Sequence, residues 1–252
     1  MAARESIGQV SDQPDIHDPA VRYARHLVLP EIGGQGQQKL AAASVAIVGM
    51  GGLGNPAAQY LAAAGIGSLT LIDGDRVTPS NLQRQILFTE TDIGQSKVAI
   101  ARARLNSLNS QCTINVVDEA LTAKNATALL TGHNVIIDAT DLVTTRYVIN
   151  DACRNLRIPW VMGAVIRFEG QVAVFDPREA DAPDYRSLFP DLPPADALPA
   201  CAEAGVLGAV AGIIGSWQAM EAIKLITGAG SITIGRTMNL DGLYGEMFST
   251  SL

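Results

Sequence analysis

Gly49, Gly51, Gly52 and Gly54 stand in the run Gly49-Met50-Gly51-Gly52-Leu53-Gly54, which fits G-x-G-x-x-G. The run directly follows the apolar stretch 44–48 and precedes the Ala-rich stretch 56–64. Glycines suit a loop that turns sharply and comes close to phosphates, while the helix N-terminus behind it offers unpaired N–H groups to an anion. A second apolar run, 68–72, ends at Asp73, nineteen residues after Gly54. A carboxylate placed there can accept hydrogen bonds from ribose hydroxyls. Strand, glycine loop, helix and carboxylate together predict a nucleotide site and not merely a structural turn.

The residues downstream bear on which nucleotide. A dinucleotide's phosphates are met mostly by backbone N–H groups, whereas a nucleoside triphosphate carries more charge and needs cations or a metal. Asp75-Arg76 and the donor-rich Ser80-Asn81-Leu82-Gln83-Arg84-Gln85 follow Asp73, and Lys97 opens the next helical stretch. Asp141, in Asp138-Ala139-Thr140-Asp141, follows another apolar run, at the sheet edge where ligands collect in such folds. Two cations and a carboxylate able to hold Mg²⁺ suit a triphosphate better than a nicotinamide. The plainer uses are surface charge for Arg84 and Lys97 and a helix N-cap for Asp141. An NAD(P)-dependent oxidoreductase, which the glycine loop alone would suggest, has no evident acid–base residue among His17, His26 and His133. A non-catalytic scaffold that keeps the pocket is a third reading, and the presence of Arg84, Lys97 and Asp141 together argues against it.

Positioning these residues takes a sheet. Across 252 residues, 48% are hydrophobic, 17% charged and 5% aromatic, which excludes a mostly disordered chain. Apolar runs at 44–48, 68–72, 113–117, 134–138 and 160–162 alternate with helical patterns at 56–64, after Ser96, at 122–131 and at 143–156, and Ser96 is placed to cap its helix. The expected class is α/β: a Rossmann-like, mostly parallel sheet with helices on both faces. Beyond Gly170 the pattern changes to a strand at 171–175 and then a proline-rich loop, expected to be a mobile crossover over 176–203. An uncharged buried helix over 204–220 and two closing strands, 231–240 and 244–248 around Asp241-Gly242, should extend the sheet in antiparallel fashion. Residues 18–40 look helical with a break at Gly33-Gly34, residues 1–17 form a flexible or disordered tail, and 18–252 read as a single domain.

Several function classes are set aside. A net charge of −7 argues against broad nucleic-acid binding. The stretch 204–220 carries four glycines and falls short of the ~20 predominantly apolar residues of a spanning helix, so no membrane is expected. The first seventeen residues have no apolar core of a signal peptide, which points to the cytoplasm. Three cysteines without a CxxC encode neither a disulfide framework nor a four-thiolate zinc site. Cys112 and Cys153 fall in a strand and a helix and read as core.

The segments Arg22-Tyr23-Ala24-Arg25, Val48-Gly49-Met50-Gly51-Gly52-Leu53-Gly54, Asp73-Gly74-Asp75, Ser80-Asn81-Leu82-Gln83-Arg84-Gln85, Gly94-Gln95-Ser96-Lys97, Asp138-Ala139-Thr140-Asp141 and Glu203-Ala204-Gly205-Val206 occur in this order. In these, over 21–248, the chain resembles the ThiF/MoeB/HesA family, bacterial relatives of ubiquitin-activating enzymes. The resemblance implies an ATP-dependent adenylyltransferase for the C-terminal glycine of a small ubiquitin-like sulfur-carrier protein ending in Gly-Gly. The carboxylate attacks the α-phosphate, giving an acyl-adenylate and pyrophosphate; a peptide substrate would use the same chemistry.

Residue by residue, the resemblance puts Gly52 under the phosphates and Asp73 on the ribose. Asn81, Arg84 and Lys97 fall on phosphates and Asp141 on Mg²⁺. The wider nucleotide set takes in Gly49, Gly51, Gly54, Asp75, Ser80, Leu82, Gln83 and Leu142. Arg25 resembles an arginine supplied to the partner subunit's triphosphate, so a homodimer is implied. Cys201 resembles a cysteine that takes up the activated acyl group in sulfur transfer, with a sulfurtransferase or cysteine desulfurase as further partner; a small core thiol is the competing reading. Asp184-Tyr185-Arg186-Ser187 stands where the family carries a zinc-binding CxxC, and no second CxxC follows, so no structural zinc is expected and other packing must hold that segment.

Overall fold

Short aliphatic runs form the parallel half of one continuous sheet. In the computed structural model, which describes residues 18–179, 182–192 and 204–251, these are β1 (Ser44–Val48), β2 (Ser68–Ile72), β3 (Thr113–Val117), β4 (Val135–Asp138) and β5 (Trp160–Ile166). β6 (Glu169–Phe175), β7 (Arg236–Asp241) and β8 (Glu246–Ser251) follow as antiparallel neighbours. The strand order is β3-β2-β1-β4-β5-β6-β7-β8. The direction of winding reverses between β1 and β4, which opens a crevice at their carboxyl ends. The expected mostly parallel sheet with an antiparallel extension is therefore found.

Strand side chains alternate between two cores, as the period of two requires. Val45 and Ile47 of β1 face one core, Ala46 and Val48 the other. After two short turns, α1 (Pro19–Arg22) and α2 (Ala24–Leu27), the helices α3 (Gly33–Ala42), α4 (Gly54–Ala64), α5 (Lys97–Leu108) and α9 (Gly208–Thr227) cover the first face. α6 (Ala126–Leu130), α7 (Val143–Leu156) and α8 (Tyr185–Leu188) cover the second. α9 is long and apolar enough by composition to cross a membrane. Here it packs on α4 and on β4 to β6, with Gln218 and Glu221 among its buried residues.

Several boundaries differ from the sequence expectation. Gly33 and Gly34 do not interrupt a helix; they open α3, and the break falls earlier, across Val28 to Ile32 around Pro30. The helical pattern at 122–131 shortens to α6 because the Asn125 side chain accepts from Thr122 N–H at 2.7 Å and holds a turn there. β5 and β6 form a longer hairpin than 160–162 and 171–175. The helix expected over 204–220 instead begins at Gly208 and runs to Thr227, taking in the charged Glu221 and Lys224. Of the run 231–240, only the part from Arg236 joins the sheet, since Ile234 instead makes a lone parallel bridge to Val174. The final strand starts at Glu246, after a turn over 242–245. Ser96 occupies the N-cap position of α5 without a capping hydrogen bond, and its buried hydroxyl finds no partner among the described residues.

Candidate nucleotide site

The glycine loop sits at the crevice between the carboxyl ends of β1 and β4. Gly49 has φ +94°, and a Cβ there would come within 2.7 Å of the Ala139 carbonyl oxygen. Only glycine lets β1 turn while its loop lies directly against the β4 turn. The backbone N–H groups of Gly51, Gly52 and Leu53 make no hydrogen bond among the described residues. They stand at the start of α4, where the helix dipole favours an anion. A Cβ on Gly52 would meet the Arg84 Cγ and Cδ at 3.3 Å, so the arginine stem lies over the loop.

Asp73 directly follows the last residue of β2 and accepts two backbone bonds, from Met50 N–H at 2.6 Å and Asp75 N–H at 2.8 Å. Its carboxylate thus ties the glycine loop to the segment after β2, and each oxygen keeps a lone pair for a ligand. Asn81 accepts from Thr78 N–H at 3.2 Å, and Arg84 Nη1 donates to Ser80 O at 2.9 Å. Ser80 and Gln83 are exposed, while Leu82 packs its side chain against the core. Lys97 is not the surface cation it could have been: it is 5% exposed, and its ammonium pairs with the exposed Asp75 at 2.8 Å. The N-terminus of α9 completes this wall, since Gly208 lies against the Gln83 carbonyl and Ala211 faces Gly52.

On the β4 side, Asp141 and Leu142 are exposed. Asp141 is not an N-cap, a position that Leu142 fills. The Asp141 carboxylate makes no bond among the described residues. The turn before it is held from within: Asp138, fully buried, pairs with Arg146 at 2.9 Å. Full burial pushes the Asp138 carboxyl up and Arg146 opposes that shift. Burial works most strongly against the Arg146 charge, but Asp138 and Tyr185 together outweigh it and leave the guanidinium pKa raised.

Arg25 is not brought to this crevice within the chain. It is exposed on α2, with no bond among the described residues. Its neighbour His26 pairs with Gln37, which donates to the Ala64 carbonyl at 2.9 Å. Ala64 ends α4, whose eleven residues put it about 16 Å from the glycine loop. Cys201 and Glu203 lie outside the described residues, as do the tail 1–17 and part of the crossover, 180–181 and 193–203. Cys112 and Cys153 are buried, and burial pushes the Cys112 thiol up to about 11, so both behave as core. His133 lies before β4, at the opposite sheet edge, bonded to Thr70 Oγ1 at 2.9 Å.

The segment standing at the CxxC position is fastened to α7 by side chains. Tyr185 is buried beside Tyr147, Trp160, Phe175 and Phe189, and its N–H donates to Asn150 Oδ1 at 3.0 Å. Arg186 forms a two-bond pair with Asp151 at 2.6 and 2.7 Å and lies over the Tyr147 ring. Asp184 caps α8 through Ser187 N–H and pairs with Arg154.

Sequence reasoning missed three positioning side chains. Asn55, wholly buried, donates to Met50 O at 2.9 Å and accepts from Leu87 N–H at 2.9 Å, joining the glycine loop to the end of the 80–87 segment. Gln218 of α9 donates to Asp138 O and Val161 O, and Arg146 reaches Asp138 from the first turn of α7. A polar residue inside an otherwise apolar helix was the available signal for Asn55 and Gln218.

The ThiF family profile matches residues 23–252. The adenylyltransferase and sulfurtransferase MOCS3 of Drosophila yakuba is 46% identical over 243 residues, 96% of this chain and 53% of that protein. Its namesake in Anopheles gambiae is 48% identical over 226 residues, 90% of this chain and 51% of that protein. The chain therefore spans about half the length of the relatives it matches. Among solved structures, PaaA superposes with a TM-score of 0.80 at 22% identity, covering 99% of this chain and 77% of that one. MccB of E. coli with ATP gives 0.72 at 22%, covering 86% and 66%. At such identities these two speak for the fold alone. With the family profile matching nearly the whole chain, the protein belongs to the ThiF family.

Proposed function

We propose that this chain adenylates the C-terminal glycine carboxylate of a small ubiquitin-like sulfur-carrier protein, consuming ATP and releasing pyrophosphate. The observation that carries this reading is the crevice itself: free loop N–H groups at a helix start, an arginine stem over the loop, and an exposed, unpartnered carboxylate on the facing turn. The relatives named adenylyltransferase and sulfurtransferase, of whose length this chain spans about half, support it.

In this reading the N–H groups of Gly51, Gly52 and Leu53 bind phosphate oxygens, and Asp73 accepts from the ribose hydroxyls. Arg84 and Lys97 place positive charge where negative charge builds as the acyl oxygen attacks the α-phosphorus and pyrophosphate leaves. Lys97 then exchanges or shares its Asp75 contact with the nucleotide. Mg²⁺ takes one or two carboxylates and fills its remaining positions with phosphate oxygens and water, and the lone free carboxylate of Asp141 fits that demand. Asp141 would hold the ion beside ATP, and the ion would supply neutralisation of phosphate charge there. Arg25 serves the site of a second copy, because it sits at the far end of α4 from its own glycine loop. The Cys201 thiolate then attacks the acyl carbon of the adenylate, forming a thioester as AMP leaves, ahead of sulfur transfer.

The test is exchange of labelled pyrophosphate into ATP with and without a carrier protein ending in Gly-Gly. Carrier-dependent exchange is expected. Exchange driven by a short peptide and not by the carrier would move the substrate assignment, and no exchange with either would refute the reading. Cys201→Ala should leave exchange intact while sulfur transfer fails.

A further inference from the structure

We propose that Arg146 is a positioning residue that fixes the backbone between Asp138 and Asp141, and so sets where the Asp141 carboxylate meets a magnesium-bound triphosphate. This rests on the nucleotide reading above. The Arg146 guanidinium is buried beside Tyr185 and donates to three acceptors, two at the end of β4 and its turn and one on β5. Nε donates to Asp138 Oδ2 at 2.9 Å, and Nη2 donates to the carbonyls of Thr140 and Gly163, both at 3.1 Å. The other Asp138 oxygen accepts from Thr140 N–H at 3.0 Å and from its hydroxyl at 2.7 Å. Gln218 Nε2 holds the Asp138 carbonyl at 2.6 Å.

Asp138 and Thr140 are thus held through both backbone and side chain, and Ala139 is held by its contact with Gly49. Asp141 follows with no side-chain bond among the described residues. The glycine loop and the carboxylate keep one spacing only if this turn keeps one shape. A buried ion pair is a poor source of folding energy, because desolvating both charges offsets most of their attraction. Its better attested use is to select one geometry, and the planar fork of arginine can reach three fixed acceptors where a lysine ammonium cannot match them in the same plane. Arg146 itself reaches no free loop N–H or exposed site residue, so its action runs through the turn.

The experiment is calorimetric titration of ATP into the whole chain, in EDTA and in excess Mg²⁺, for wild type, Asp141→Ala, Arg146→Lys and Thr140→Val, with thermal melts alongside. In wild type Mg²⁺ should tighten ATP binding, and Asp141→Ala should abolish that gain. Arg146→Lys should lose most of the gain, about tenfold if the productive turn falls to a tenth of its population, with the affinity in EDTA unchanged. A purely structural role would lower the melting point and both affinities together, leaving their ratio intact, and that result overturns the proposal. If Arg146→Lys does not fold, Thr140→Val decides: a reduced gain supports the positioning role, an unchanged gain refutes it. A wild type indifferent to Mg²⁺ would instead bring down the Asp141 reading, and this inference with it.

Discussion

Replacing Asn55 by alanine should cost the folded state about 2–6 kcal/mol. The side chain is wholly buried and spends both ends of its amide on backbone groups: Nδ2 on the Met50 carbonyl and Oδ1 on the Leu87 N–H, each at 2.9 Å. Alanine leaves both backbone groups buried without a partner, and each such group costs about 1–3 kcal/mol. The range is the sum of two such losses. The cost is local in origin, because Met50 stands inside the glycine loop and Leu87 just past the donor-rich segment. ATP affinity should therefore fall along with stability. Asn55→Asp keeps the acceptor for Leu87 but cannot donate to Met50 and buries a charge, so it should also destabilise. Urea unfolding gives the free energy, with an unchanged m-value confirming that the same surface is exposed. An Asn55→Ala protein within about 0.5 kcal/mol of wild type, the range of ordinary surface changes, would refute the reasoning.

Gly49→Ala combines a left-handed backbone, costing about 1–2 kcal/mol for a residue with a Cβ, with a close approach to the Ala139 carbonyl. It should lower both stability and ATP affinity, and wild-type values for both would mean that the loop and the β4 turn are not in contact. Mixing Arg25→Ala with Asp141→Ala chains should restore part of the pyrophosphate exchange that each lacks alone, since mixed pairs regain one complete site; no recovery would place Arg25 outside the partner's site. Arg186→Ala should destabilise at neutral pH, because hydrogen bonds from Arg186 hold the Asp151 carboxyl below its usual range. A depressed carboxylate pKa stabilises above the unfolded value of about 3.9 and loses that contribution as pH falls through the lower folded value. The melting-point gap between variant and wild type should thus be full at pH 6 and close in acid; a gap unchanged at pH 3 would contradict the pairing.

Much of the fold is legible because β1 to β4 are compact aliphatic runs whose ends carry glycine or aspartate, and because buried parallel strands need no alternation. The same compactness hides the ends of β5 and β7. Gly163 and Gly170 lie inside the β5–β6 hairpin and look like breaks in a one-dimensional reading, while 231–234 has strand composition but pairs only through Ile234. Of the site, glycines, Asp73 and Asp141 show in the sequence because spacing from a strand end places them. Asn55, Arg146 and Gln218 do not, since their value lies in which backbone groups they meet across 32, 17 and 80 residues of chain. Lys97 shows the same limit: its position at a helix start could be read, its burial against Asp75 could not. Tyr185 and Arg186 show it once more, because the packing that fastens their segment to α7 is built from residues about 35 positions apart.

Equilibrium binding of ATP and of NAD to the same protein, each titrated against wild type and Asp73→Ala, addresses the central claim most directly. Saturable ATP binding that weakens in Asp73→Ala, with NAD failing to compete, is the expected result. NAD bound at the glycine loop, with ATP displaced or never bound, would contradict it.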